Sequence, residues 1–213
     1  MYCDNINQWI PVQLSWILGL SEEYYEIHFT VLFCQFMLPS ISPAEREALA
    51  TSIVNFSQVQ QNGFVAAYCR VFGKISRTEA LKKLKGCHEH FCQSIIRVQG
   101  NCQVLRADQV DAFVEMAMAL IELDVDGRSH EERIDEMCCI FSNIQRWLDW
   151  WTMADVAAIL FPSCRKMLED FPDGHDGLPS STNAQESMHR VYYMFSAGKK
   201  TMLKGMISST LLS

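Results

Sequence analysis

At 213 residues, 49% of them apolar and 20% charged, the chain is long enough for one domain with a substantial core and too apolar to be disordered. Its formal net charge of −7 argues against an autonomous nucleic-acid binder, whose footprint is basic. Nine cysteines, an odd number without disulfide-framework spacing and with no signal-peptide pattern ahead of them, point to a reducing intracellular compartment.

Residues 9–18 are β-branched and aromatic, end at Gly19 and read as a strand, with Pro11 near its start or at an edge. Ser21 then caps a helix to about Met37, whose first turn carries Glu22 and Glu23, the charge favoured at that end. Much of this helix is apolar, which predicts packing on a sheet. The same run is interrupted by His28, Thr30 and Gln35 and is too short to cross a bilayer, so no membrane partner is expected. Pro43 opens a short helix. Residues 52–57 read as a short buried strand, and residues 61–72 as a helix closed by Gly73. Residues 76–84 suggest another helical turn, and residues 84–87 lead into a helix over 88–98. This alternation indicates an α/β unit over residues 1–99.

Residues 100–181 change character. A helix over 108–122 carries Val110, Phe113, Val114 and Ala117 on one face, and residues 124–127 form a turn. Ser129 and Glu132 form a capping box opening a helix to about Phe141. Trp147, Trp150 and Trp151 follow, Thr152 caps a helix through Leu160, and residues 171–181 are a loop rich in Pro, Gly and Asp. With no strand pattern in this stretch, it reads as an all-helical insertion, and the whole chain as helix-dominated α/β. A last helix over 182–205 places Met188, Val191, Tyr192 and Phe195 at helical spacing, and residues 206–213 form a tail.

Two clusters carry chemistry. Cys87 and His90, at i and i+3, suit zinc, but a structural site needs four ligands and Cys102 is the nearest further thiol. The plain alternative is a helix start bearing a buried cysteine. Thr182 or Asn183, with Gln185 or Glu186 three residues on, reads as an ordinary capping box. The tryptophans read as packing between helices, with base stacking the alternative. Arg190, Lys199, Lys200 and Lys204 read as a solvated helix end, with phosphate contacts the alternative.

Gly86-Cys87-x-x-His90-Phe91, followed by Thr182-Asn183-x-x-Glu186-Ser187, resembles the motif order of Mutator-like (MULE) transposases. The resemblance covers most of the chain. It implies a partial RNase H-like core of a few strands with flanking helices. It also implies a parent activity of DNA strand cleavage and transfer at an Asp-Asp-Glu site that holds Mg²⁺ or Mn²⁺. Glu186 matches the third carboxylate, while Cys87 and His90 match the Cys-x-x-His signature. The strand that should end in the second Asp matches residues 53–57, where Asn55 stands in the catalytic position. The first Asp falls upstream of residue 1, Asp4 reading as a turn residue, so the resemblance implies a truncated internal fragment. One carboxylate does not hold two divalent ions. The expectation is therefore a catalytically inactive, transposase-derived nuclear protein with no metal of its own beyond what Glu186 can bind. Its expected partners are DNA, a full-length transposase or a second copy. The alternatives are a non-catalytic interaction module and, third, a helical protein organised by zinc.

Overall fold

A computed structural model describes residues 2–3, 8–9, 19–73, 76–122, 127–165, 178–187 and 190. Strands β1 (Tyr2–Cys3) and β2 (Gln8–Trp9) form a short antiparallel pair. The strand expected over 9–18 lies, beyond Trp9, outside the described residues.

Helix α1 (Glu22–Phe36) starts at Ser21, whose extended backbone serves as N-cap without a side-chain cap bond. Helix α2 (Pro43–Leu49) has Pro at its start and a complete Ser42–Glu45 capping box. Strand β3 (Ser52–Val54) then leads through Ser57, whose hydroxyl accepts from the Gln60 N–H, into α3 (Gln58–Phe72). Gly73 ends α3 with φ at 101°, a conformation that favours glycine. After α4 (Arg77–Lys82) comes β4 (Leu84–Gly86), pairing with β3 in parallel: Ser52 opposite Leu84, Ile53 opposite Lys85, Val54 opposite Gly86. A strand here corrects the reading of residues 84–87 as a mere lead-in. Leu-Lys-Gly has little β-propensity, and burial on both sides holds it extended.

Helix α5 (His88–Gln99) follows directly, then a 3-10 turn (Ala107–Gln109) into α6 (Val110–Ala119), and then α7 (His130–Ile140). Next come α8 (Gln145–Trp151), α9 (Ala154–Leu160) and a 3-10 turn (Pro162–Cys164). Thr152 was expected to cap the helix through Leu160; instead it ends α8, with its N–H and its hydroxyl both 2.8 Å from the Leu148 carbonyl. Met153 is the N-cap of α9. A threonine that can reach back to the i−4 carbonyl closes a helix as readily as it opens one.

The described residues form a helix-dominated α/β arrangement with two apolar clusters. The first joins α1, α3 and α4 to the β3–β4 pair through Phe29, Phe33, Phe64, Tyr68 and Leu84. Here the partner of α1 is α3 rather than the sheet expected from its sequence. Gly63 makes that crossing close, since a Cβ there would stand 2.6 Å from Tyr25 Cβ and 2.9 Å from the Glu22 carbonyl oxygen. The second cluster runs from α5 through α9 with Phe91, Phe113, Met137, Phe141, Leu148 and Trp151. They meet at the strand pair, where Ile159 of α9 is buried in the first cluster and Phe56 packs against both.

Candidate functional site

The site is built at the carboxyl end of the parallel pair, the position where open α/β sheets place ligands. The Cys87 N–H donates to the Val54 carbonyl at 3.2 Å, carrying the ladder one residue past β4. Asn55, exposed and directly after Val54, and the Cys87–His88 start of α5 therefore lie at the same end. Gly86 is required by packing. A Cβ on it would meet the Phe56 ring at 2.6 and 2.7 Å, and that ring in turn lies edge-on to Trp151 at 4.8 Å.

The segment 178–187 closes over this end. Buried Lys85 donates through Nζ to the Leu178 carbonyl at 3.0 Å, and the His88 N–H donates to the Ser180 carbonyl at 2.9 Å. The Thr182 N–H points to the Cys87 sulfur at 3.4 Å, and the Thr182 hydroxyl oxygen lies 3.4 Å from the same sulfur. That hydroxyl donates to Glu186 Oε1 at 2.9 Å, while the Glu186 N–H donates to the Thr182 carbonyl at 3.0 Å. A hydroxyl has one proton, and the shorter contact, to a carboxylate, takes it. Residues 183–187 are helical.

The structure thus brings Asn55, Cys87, Thr182 and Glu186 to one end of β3–β4, joining two motifs 95 residues apart. The capping-box reading is replaced, because Thr182 uses its hydroxyl on the Glu186 side chain four residues on and its N–H on Cys87. Asn183 is exposed and its N–H reaches Ser181 Oγ at 3.4 Å. His90 is half-buried on α5, and its Nδ1 has no hydrogen-bond partner among the described residues. Cys102 is exposed. Among the described residues no group of three His, Cys, Asp or Glu side chains is placed to hold a metal ion. Burial, with nearby Glu89 adding to it, pushes the Cys92 thiol up from its ordinary pKa.

Trp147 and Trp151 pack among Phe91, Phe113 and Phe161, and Trp147 Nε1 donates to Ser94 Oγ at 3.1 Å. Trp150 is 46% exposed. Arg190 is exposed; Asp4, Lys199, Lys200 and Lys204 lie outside the described residues. Sequence reasoning missed Lys85 and Phe56. A lysine inside a Leu-Lys-Gly run joining two helical patterns was the available signal for the former. No helix among the described residues is long and apolar enough to cross a membrane.

Comparison with protein-family models, curated proteins and solved structures finds no match.

Proposed function

We propose that the chain is a transposase-derived protein, resembling the RNase H-like core of Mutator-like enzymes, that has lost strand cleavage. The observation that carries this reading is the contact between the two motif segments. Cys87 and Glu186 are joined through Thr182 at the carboxyl end of parallel strands, where Asn55 also stands. Such a site serves phosphoryl chemistry when anionic oxygens bridge two divalent ions. Here the converging groups are one carboxylate, which also accepts a hydrogen bond from Thr182, and one neutral amide. That donor set does not fit a two-metal centre, so no cleavage step is assigned to it.

Restoring the missing charge tests the reading. Asn55→Asp puts a second carboxylate at the same end of β3–β4 as Glu186, and Mn²⁺ affinity measured by calorimetry is expected to rise about tenfold or more, ~1.4 kcal/mol. The gain is expected to disappear in the Asn55→Asp/Glu186→Gln double variant. No gain would mean that the two positions do not form one site, and the reading would fall. The unaltered protein is expected not to nick supercoiled DNA with Mn²⁺. Nicking abolished by Glu186→Gln would overturn the inactivity claim.

A non-catalytic interaction module is the second reading, favoured by the missing carboxylate and the net charge of −7. That charge makes a protein partner, such as a full-length transposase, the better fit than DNA. Nuclear localisation belongs to the transposase reading and is tested by fractionation.

A further inference from the structure

We propose that residues 178–187 form a strap that opens by itself, while both apolar clusters stay folded, and that Lys85 is its latch. The strap is tied to the junction of β4 and α5. Lys85 Nζ donates to the Leu178 carbonyl at 3.0 Å, and the His88 N–H to the Ser180 carbonyl at 2.9 Å. Between them, the Cys87 sulfur meets the Thr182 N–H and hydroxyl, each at 3.4 Å. The contacts thus fall on residues 178, 180 and 182. Alternate residues of an extended chain face the same way, so one edge of the strap lies along the junction.

The strap has little apolar anchorage. Six of its ten residues are exposed, and Thr182 is the buried one among them. Among the described residues, neither apolar cluster takes in a side chain of this segment. Across the junction, by contrast, Phe91 and Ile95 of α5 are buried in the second cluster. A region with few buried apolar contacts opens at a free energy well below that of global unfolding. Strap and α5 therefore touch, yet differ in what holds them.

Among the anchors, Lys85 is the strongest. It is 8% exposed, and a buried ammonium is held in place by the acceptors it finds. Hydrogen bonds from a charged donor are also stronger than neutral ones. Lys85 stands in the middle of β4, opposite Ile53, so it cannot follow the strap when the strap leaves. Opening changes the candidate site in two ways. It uncovers the Thr182 side of the Cys87 sulfur, and it carries away Glu186, whose carboxylate accepts from the Thr182 hydroxyl at 2.9 Å. The grouping of Cys87, Thr182 and Glu186 at the strand ends belongs to the closed state.

The His88 amide makes the opening measurable. As the first residue of α5 it has no intrahelical acceptor, and Ser180 supplies one. Native-state amide exchange of the full chain, followed by NMR in low, sub-denaturing urea, is the test. His88 and Thr182 amides are expected to exchange at least about tenfold faster than Ile95 in the interior of α5, and with little dependence on urea, since a local opening exposes little surface. Lys85→Met is expected to speed exchange at His88 and Thr182 by about a further tenfold and to leave Ile95 unchanged. One rate and one urea slope for all three amides overturns the proposal, because the strap then leaves only when the whole molecule unfolds. Exchange at His88 and Thr182 that Lys85→Met leaves as slow as before overturns the latch. So does a variant that speeds Ile95 by the same factor, which makes Lys85 a general support. The urea slopes come from the unaltered chain, so a poorly folded variant does not block the test. Amide exchange involves neither metal nor DNA, so the result stands whether or not the transposase reading holds.

Discussion

Thr182 joins the two halves of the candidate site with four polar contacts, two to the Cys87 sulfur and two to Glu186, and the two halves differ in the cost of removal. Thr182→Val deletes the hydroxyl that holds Glu186, but leaves the backbone N–H on Cys87. Glu186 is exposed and can turn to water, so the expected loss in urea-melt stability is about 1 kcal/mol. Cys87→Ala strands the Thr182 N–H in a buried position, where an unmet donor costs ~1–3 kcal/mol, and so is expected to exceed Thr182→Val. The reverse order would mean that the sulfur does not anchor this segment. Titration adds a second prediction for single residues. Burial lowers the pKa of both His28 and His130, the latter lying 4.5 Å from the Phe161 ring with its Nε2 unpaired among the described residues. The unfolded chain takes up these protons near pH 6.5 and the folded chain only below that. Stability is therefore fully present above pH 6.5 and is lost as pH falls through the lowered values. The melting temperature is expected to drop between pH 7 and 5, and His130→Gln to flatten that slope. Sequence patterns picked out Glu186, Cys87 and Thr182, because motifs record residue type and local spacing. They could not show that Thr182 bridges the other two, because the contact closes a 95-residue separation that only packing fixes.

At the scale of elements, the α1–α3 crossing is set by a single glycine. A Cβ at Gly63 would fall 2.6 Å from Tyr25 Cβ, 2.8 Å from the Glu26 backbone nitrogen and 2.9 Å from the Glu22 carbonyl oxygen. Two of these neighbours are backbone and cannot rotate away, so Gly63→Ala has to push the helices apart. The expected loss is ~1–3 kcal/mol in a denaturant melt. Gly100→Ala, whose Cβ would meet its nearest neighbour at 3.5 Å, is expected to stay within about 0.5 kcal/mol. A Gly63→Ala variant as stable as the unaltered chain, or more so, would mean that helix propensity, which favours Ala in the interior of α3, outweighs close approach. The helices were readable because their caps and periods are local: the Ser129–Glu132 capping box read from the sequence is present, and Ser42, Ser57 and Ser76 also accept from the backbone three residues on, with Ser57 starting α3 at Gln58, where the sequence pattern suggests the end of a strand. Strand β4 was not, since Leu84, Lys85 and Gly86 are extended only because β3 pairs with them and burial surrounds them. Without β4 the parallel pair, and with it the location of the site, stays hidden.

At the largest scale, the described residues form two apolar clusters that meet beside the strand pair, where Phe56 packs against both. The side chain of Ile159 belongs to α9 in sequence, yet is buried in the cluster of α1, α3 and α4. The Arg77–Asp155 ion pair at 2.6 Å also links α4 to α9, but both partners are more than a third exposed, so it adds only ~0.2–1 kcal/mol. Ile159 is the stronger coupling. Ile159→Ala is expected to cost ~2–5 kcal/mol through the lost contacts and the cavity left. Its effect on cooperativity is more specific than its size. With Trp9 and Trp16 replaced by Phe in every chain compared, the remaining Trp147, Trp150 and Trp151 all lie in α8, in or beside the second cluster, so fluorescence follows mainly the helical block, whereas far-UV circular dichroism follows helices of both clusters. With no further substitution, buried contacts crossing the strand pair should make the two signals melt together. In Ile159→Ala the first cluster loses its plug from α9, and the circular dichroism midpoint is expected to fall below the fluorescence midpoint. Phe91→Ala, which removes a fully buried ring packed on Trp147, Trp151 and Phe161, is expected to lower the fluorescence midpoint first. Coincident midpoints in both variants would mean that the two clusters behave as one cooperative unit despite their separate packing.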